Sequence, residues 1–167
     1  VDADLRGYYN FSGIGTIVKS MMSAMMPSRF ASPHIEKEKG ENNFVFNINL
    51  KNTDKLNEFF RTGLRLAEKT TITSTVASDT IMRVSVNAKT LSFKGLAFRD
   101  LQVAGNFLSP SLDVRLKSSS LSLLGQSELK GFNANLTAKP DNFDFSLNWD
   151  NKEEILNNGR FTARGNF

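Results

Sequence analysis

The sequence predicts a mainly β protein: an antiparallel meander forming an elongated curved sheet, accompanied by two short amphipathic helices. Three observations predict it. Stretches such as DNFDFSLNWD, residues 141–150, place Phe143, Phe145, Leu147 and Trp149 at every second position, with Asp144, Ser146 and Asn148 between them. In an extended chain these two sets point to opposite faces, one apolar and one polar. Alternating stretches then follow one another through the second half, joined by short Gly- or Pro-bearing turns. Parallel pairing would need crossover helices, and residues 64–167 leave no room for them.

The first eleven residues alternate loosely and predict a short strand, with Ser12 and Gly13 as helix-cap material. The period then changes. Ile14, Ile17, Val18, Met21, Met22, Met25 and Met26 fall at helical spacing, and Pro27 stops the run. Residues 28–43 form a charged connector with Pro33, Gly40 and alternating Glu36, Lys37, Glu38 and Lys39. The next strand, NNFVFNINLKN, carries Phe44, Phe46, Ile48 and Leu50 on one face. Thr53 caps a second helix, TDKLNEFFRTG, which turns Leu56, Phe59 and Phe60 inward and ends at Gly63.

From residue 64 only strands and turns are expected, at 64–67, 70–78, 80–91, 93–98, 101–107, 111–118, 120–124, 129–138, 142–149 and 159–167. Turn residues are Gly95, Ser109-Pro110, Gly125, Pro140-Asp141 and Asn158-Gly159, and NKEEILNN could add a helical turn. Residues 1–63 thus form a strand-helix-strand-helix segment and 64–167 the meander, together one continuous stretch.

Composition bounds the function. Forty per cent hydrophobic residues suffice for a core, and fourteen Phe against two Tyr and one Trp favour purely apolar contacts. A net charge of +4 from 21 basic and 17 acidic residues, with no two basic residues adjacent, argues against nucleic acid as partner. The chain has no cysteine, which removes disulfides, thiol nucleophiles and thiolate-held metal. His34, the single histidine, stands in the connector without neighbours suited to metal or proton relay. No phosphate-binding loop, nucleophile elbow or zinc motif occurs, and the pairs Glu153-Glu154 and Asp141/Asp144 look solvated. These features predict no enzyme, no cofactor and no metal. No apolar run approaches the roughly 20 residues of a membrane-spanning helix.

One face of such a meander must be buried against something. A closed sandwich or barrel would make it an ordinary core, in a structural or binding module. An open trough would present it to acyl chains or unfolded β-strands. Alternation serves both equally. A piece of an outer-membrane barrel fits less well, because Phe143 to Trp149 run along a strand instead of forming girdles at its ends.

The opening VDADLRGYYNFSGIGTIVKSMMSAMMPSRF resembles a recurring segment of the TamB-like proteins of Gram-negative bacteria: a strand ending Gly-Tyr-Tyr-x-Phe, then an amphipathic helix closed by Pro. NNFVFNINLKNTDKLNEFF resembles the element that often follows, and LSFKGLAFRDLQVAGNF and NGRFTARGNF resemble the family's strand units. The resemblance implies a fragment of a long periplasmic protein of the AsmA/TamB-like superfamily, anchored in the inner membrane by a helix outside this sequence. It implies a β-taco, a U-shaped sheet with a hydrophobic inner groove, and roles in phospholipid transport between membranes and outer-membrane protein assembly. Implied partners are phospholipid acyl chains or unfolded outer-membrane protein strands, with a BamA-type protein engaged through a C-terminal region also outside this sequence. Groove candidates are the residues in phase: Leu101, Val103, Leu112, Val114, Leu116, Phe143, Phe145, Leu147 and Trp149. The helix bearing Ile17, Val18, Met21, Met22, Met25 and Met26 would cap or cover the trough.

Overall fold

Strand order in the sheet follows chain order, as short turns between alternating strands require. The computed structural model describes residues 1–10, 14–30, 42–51, 53, 58, 63–78, 80–123, 127–152, 154 and 157–166, with side chains from residue 19 onward in the helix. Its elements are β1 (Asp2–Tyr8), α1 (Ile14–Met25), β2 (Asn43–Leu50), β3 (Leu64–Leu66), β4 (Thr70–Ala77), β5 (Ile81–Phe93), β6 (Leu96–Leu108), β7 (Ser111–Leu123), β8 (Ser127–Lys139), β9 (Asn142–Asp150) and β10 (Asn158–Asn166). They form one 10-stranded antiparallel sheet in the order β1-β2-β4-β5-β6-β7-β8-β9-β10, with β3 beside β5. The sheet is open: β1 and β10 each pair with one neighbour.

Where two helices were expected, the described residues contain one. Of the second, Thr53, Glu58 and Gly63 are described and the rest lies outside the described residues, as do Glu36 to Lys39, His34 and most of the connector. The NKEEILNN turn and Gly125 also fall wholly or partly outside them.

The hairpins follow local chemistry. Lys94 (φ 46°) and Gly95 (φ 88°) both take positive φ, the conformation a two-residue hairpin loop needs to match strand twist. Ser109-Pro110, a cis peptide, and Pro140-Asp141 make the next two-residue turns on the opposite strand ends. Gly159, in contrast, is not in a turn but inside β10, paired with Trp149.

Two expected strand breaks are absent. Segments 111–118 and 120–124 form the single strand β7, and β6 runs through the gap expected between 98 and 101. What interrupts the alternation there is a corner. The β5–β6 ladder skips Lys89 and Asp100, the β6–β7 ladder skips Asp100 to Leu101 against Ser118 to Ser119, and the β7–β8 ladder skips Ser119 and Gly131. Positive φ recurs on every second strand along this line, at Lys69 (62°) between β3 and β4, Asp100 (49°) in β6 and Gly131 (59°) in β8. A residue in this conformation kinks its strand, and here the side-chain phase slips by one without a change of register. Phe98 lies 6.2 Å from Phe132, ring centre to ring centre, so Leu101 and Phe98, three residues apart, share one face. The corner divides the sheet into a long arm, which includes β9 and β10, and a short arm of β3 and the far ends of β5 to β8.

The buried residues Ala88, Leu101, Leu121 and Phe132 gather at this corner. Its polar lining is satisfied locally: the buried Ser118 hydroxyl donates to the carbonyls of Arg99 (2.6 Å) or Ser120 (2.7 Å). The second buried cluster, Met21, Val76 and Phe107, forms where α1 rests on the far end of the long arm.

Candidate functional site

Directly paired residues of an antiparallel sheet project from the same face, so the ladders define rows across the molecule. The outermost row of the long arm reads Gly7, Phe44, Val76, Met82, Phe107, Leu112, Ala138, Phe143, Gly165. The next reads Leu5, Phe46, Ser74, Val84, Gly105, Val114, Leu136, Phe145, Ala163. The third reads Ala3, Ile48, Ile72, Val86, Val103, Leu116, Ala134, Leu147, Phe161. Ser74 is the only polar side chain in the three rows. The other face carries Arg83, Asn106, Asp113, Arg115, Lys117, Asn135, Asp144 and Arg164 among others, and there Asp144 and Arg164 pair at 2.5 Å.

The nine groove candidates therefore share one face. Leu112 and Phe143 stand in the first row, Val114 and Phe145 in the second, and Val103, Leu116 and Leu147 in the third. Leu101 and Trp149 lie at the corner, beyond the third row. Sequence reasoning took these from three strands and passed over the same face of β5 and β8. There Met82, Val84 and Val86, and Leu136, Ala134 and Phe132, were equally in phase, with polar residues such as Arg83, Ser85, Asn133 and Asn135 between them.

What covers this face differs from row to row. The first is covered by α1 from Phe44 to Leu112, where Met21, Ala24 and Met25 pack in one cluster with Phe44, Val76, Met82, Phe107 and Leu112. The helix runs over the strand ends from β2 to β7, and its C-terminal end is tied to the β8–β9 turn. There the Asp141 N–H donates to the Met25 carbonyl (2.7 Å), and the Ser28 N–H and hydroxyl donate to the Asp141 carboxylate (3.0 and 2.5 Å). Met22 and Met26 are half-buried; the side chains of Ile17 and Val18 lie outside the described residues.

The second and third rows are different. Val84, Val114, Leu136, Phe145, Val86, Val103, Leu116 and Leu147 are half-buried, and among the described residues no element other than the sheet itself is packed over them. At their centre Gly105 makes a gap: a methyl group built there meets nothing within 4 Å. Gly105 thus faces open space.

The β9–β10 margin is shaped by aromatics lying over small residues. Trp149 covers Gly159, where any Cβ would overlap the indole, and its N–H donates to the Asn157 side-chain carbonyl (3.1 Å). Phe143 covers Gly165 in the same way, 2.9 Å from where a Cβ would sit, and Phe145 meets Phe161 at 6.3 Å. Phe161, on the free edge strand, is exposed.

Charge lies away from the apolar face. On the outer side of the corner Lys89 reaches the Asp100 carboxylate at 2.5 Å, and the Ser119 hydroxyl donates to it at 2.9 Å. These hydrogen bonds, Lys89's first, hold the Asp100 carboxyl below its ordinary range. The described residues contain no group of three or more His, Cys, Asp or Glu placed to hold a metal ion, and no described helix is long and apolar enough to cross a membrane. What the arrangement offers chemically is apolar contact without directional groups. No protein-family model, curated protein or solved structure matches the chain.

Proposed function

We propose that this chain is a non-enzymatic segment of a TamB/AsmA-like cell-envelope protein, and that its apolar sheet face receives phospholipid acyl chains in transit between membranes. The observation that carries the reading is the uncovered second and third rows, with open space over Gly105. A sandwich would cover those rows with a second sheet, whereas the strands here form one open sheet and, among the described residues, the cover is α1 at the strand ends. An acyl chain laid along the rows would bury about 300 Å² of apolar area, worth several kcal/mol at roughly 25 cal/mol per Å². With Ser74 the only polar side chain on this wall, such a chain would be held and still free to slide. Unfolded outer-membrane strands, which alternate in the same way, are the second class of cargo, and the periplasm is the compartment this role requires.

Native mass spectrometry of protein made in Gram-negative cells and never refolded tests the reading. The parent should carry phospholipid, and folded Val114→Ser and Phe145→Ser variants should carry less. A folded, lipid-free parent would overturn it.

A further inference from the structure

All five methionines of the chain lie on α1 or the strand beneath it: Met21, Met22, Met25 and Met26 on or just beyond the helix, and Met82 on β5, of which Met21, Met25 and Met82 pack in one cluster. Met21 is 8% exposed, Met25 and Met82 pack against the same cluster, and Met22, Met25, Met26 and Met82 are all half-buried, within reach of a small solute. We propose that this junction is a methionine-oxidation site that releases α1 from the sheet and uncovers the outermost row. The inference goes beyond the lipid reading and does not depend on it.

A thioether takes one oxygen atom from a two-electron oxidant. With hypochlorous acid the sulfur gains the oxygen and becomes a sulfoxide, the chlorine is reduced to chloride, and one proton is released. The sulfoxide is a strong acceptor and needs a donor if buried. The apolar side chains that pack with Met25 and Met82 in this cluster are Met21, Ala24, Phe44, Val76, Phe107 and Leu112, and none of these has a donor to give. The modified sulfur must therefore turn to water, which withdraws the contacts holding α1 on the strand ends. Among the described residues, what then ties α1 to the sheet is the pair of contacts from Ser28 and the Met25 carbonyl to Asp141, at the C-terminal end of the helix. Release is then local, a lifting of the helix with the sheet intact, since no strand pairing depends on these sulfurs.

The test treats the folded chain with a small excess of hypochlorous acid. Oxygen uptake at each methionine is mapped by peptide mass spectrometry, and hydrogen exchange is followed across residues 19–30 and β5. Met25 and Met82 should be oxidised in the folded state, with Met21 slowest. Exchange in the helix should then rise by at least about tenfold while the centre of β5 stays protected. Methionine sulfoxide reductases should restore protection. A Met25→Leu/Met82→Leu variant, a swap of similar volume that cores tolerate, should keep its helix protected under the same treatment. Three results would overturn the proposal: Met25 and Met82 oxidised with helix exchange unchanged, both resisting oxidation until the sheet unfolds, or the leucine variant losing helix protection as fast as the parent.

Discussion

Gly159 and Trp149 make the sharpest claim at the level of single residues. The indole lies where a side chain at Gly159 would be. Gly159→Val should therefore push Trp149 outward and cost about 1–3 kcal/mol, the usual penalty for overpacking. Trp149 is the chain's one tryptophan, so its emission reports the change directly and should shift to the red. Asp100 gives a pH prediction. Hydrogen bonds from Lys89 and Ser119 lower its folded-state pKa below the unfolded value. A depressed carboxylate pKa stabilises the fold above the unfolded pKa, and that contribution is lost as pH falls through the folded one. Asp100→Asn keeps a residue that tolerates the φ of 49° there but removes the charge. Denaturation midpoints of parent and variant should differ in the parent's favour at neutral pH and converge below about pH 4.

Among the elements, the corner shows how far sequence reading goes. Alternation and turn signals located the strands of the meander, except that the strand expected at 93–98 spans the Lys94-Gly95 turn between β5 and β6, and helical spacing located α1 to within a residue of its observed end. The corner was misread because a lost beat in the alternation has two causes that look alike from sequence. At Lys94-Gly95 the chain reverses; at Asp100 and Ser119 it bends and keeps its partner. Only the cross-strand context separates them, since the slip occurs on neighbouring strands at positions opposite one another. Gly159 misled for a related reason, because glycine marks both a turn and a close approach, and the approaching indole belongs to another strand. The corner itself is testable at Gly131, whose φ of 59° is strained for other residues and where a Cβ would sit 2.7 Å from the Asp150 carbonyl oxygen. Gly131→Ala should lower the urea-unfolding free energy by about 1–3 kcal/mol.

Taken whole, the described residues form an open sheet with one polar face and one apolar face, bent along a line of kinks and covered by α1 at one margin. Partition between the faces was legible in the sequence because it rests on period two. Whether the apolar face is closed over was not, since a core and a trough demand the same alternation. Substitutions that remove bulk do not separate them well, because both a core and a trough lose contacts. Adding bulk does. Gly105 sits at the centre of the apolar face, without positive φ and with nothing within 4 Å of an added Cβ. The most direct measurement is therefore the phospholipid retained by Gly105→Leu against the parent, by native mass spectrometry, with the urea midpoint of each. An open trough predicts a variant at least as stable as the parent, since glycine weakens a strand by about 0.5–1 kcal/mol, and one that holds less lipid because the leucine occupies its place. A variant destabilised by overpacking, with no lipid on the parent, would contradict the account and make the face a closed core.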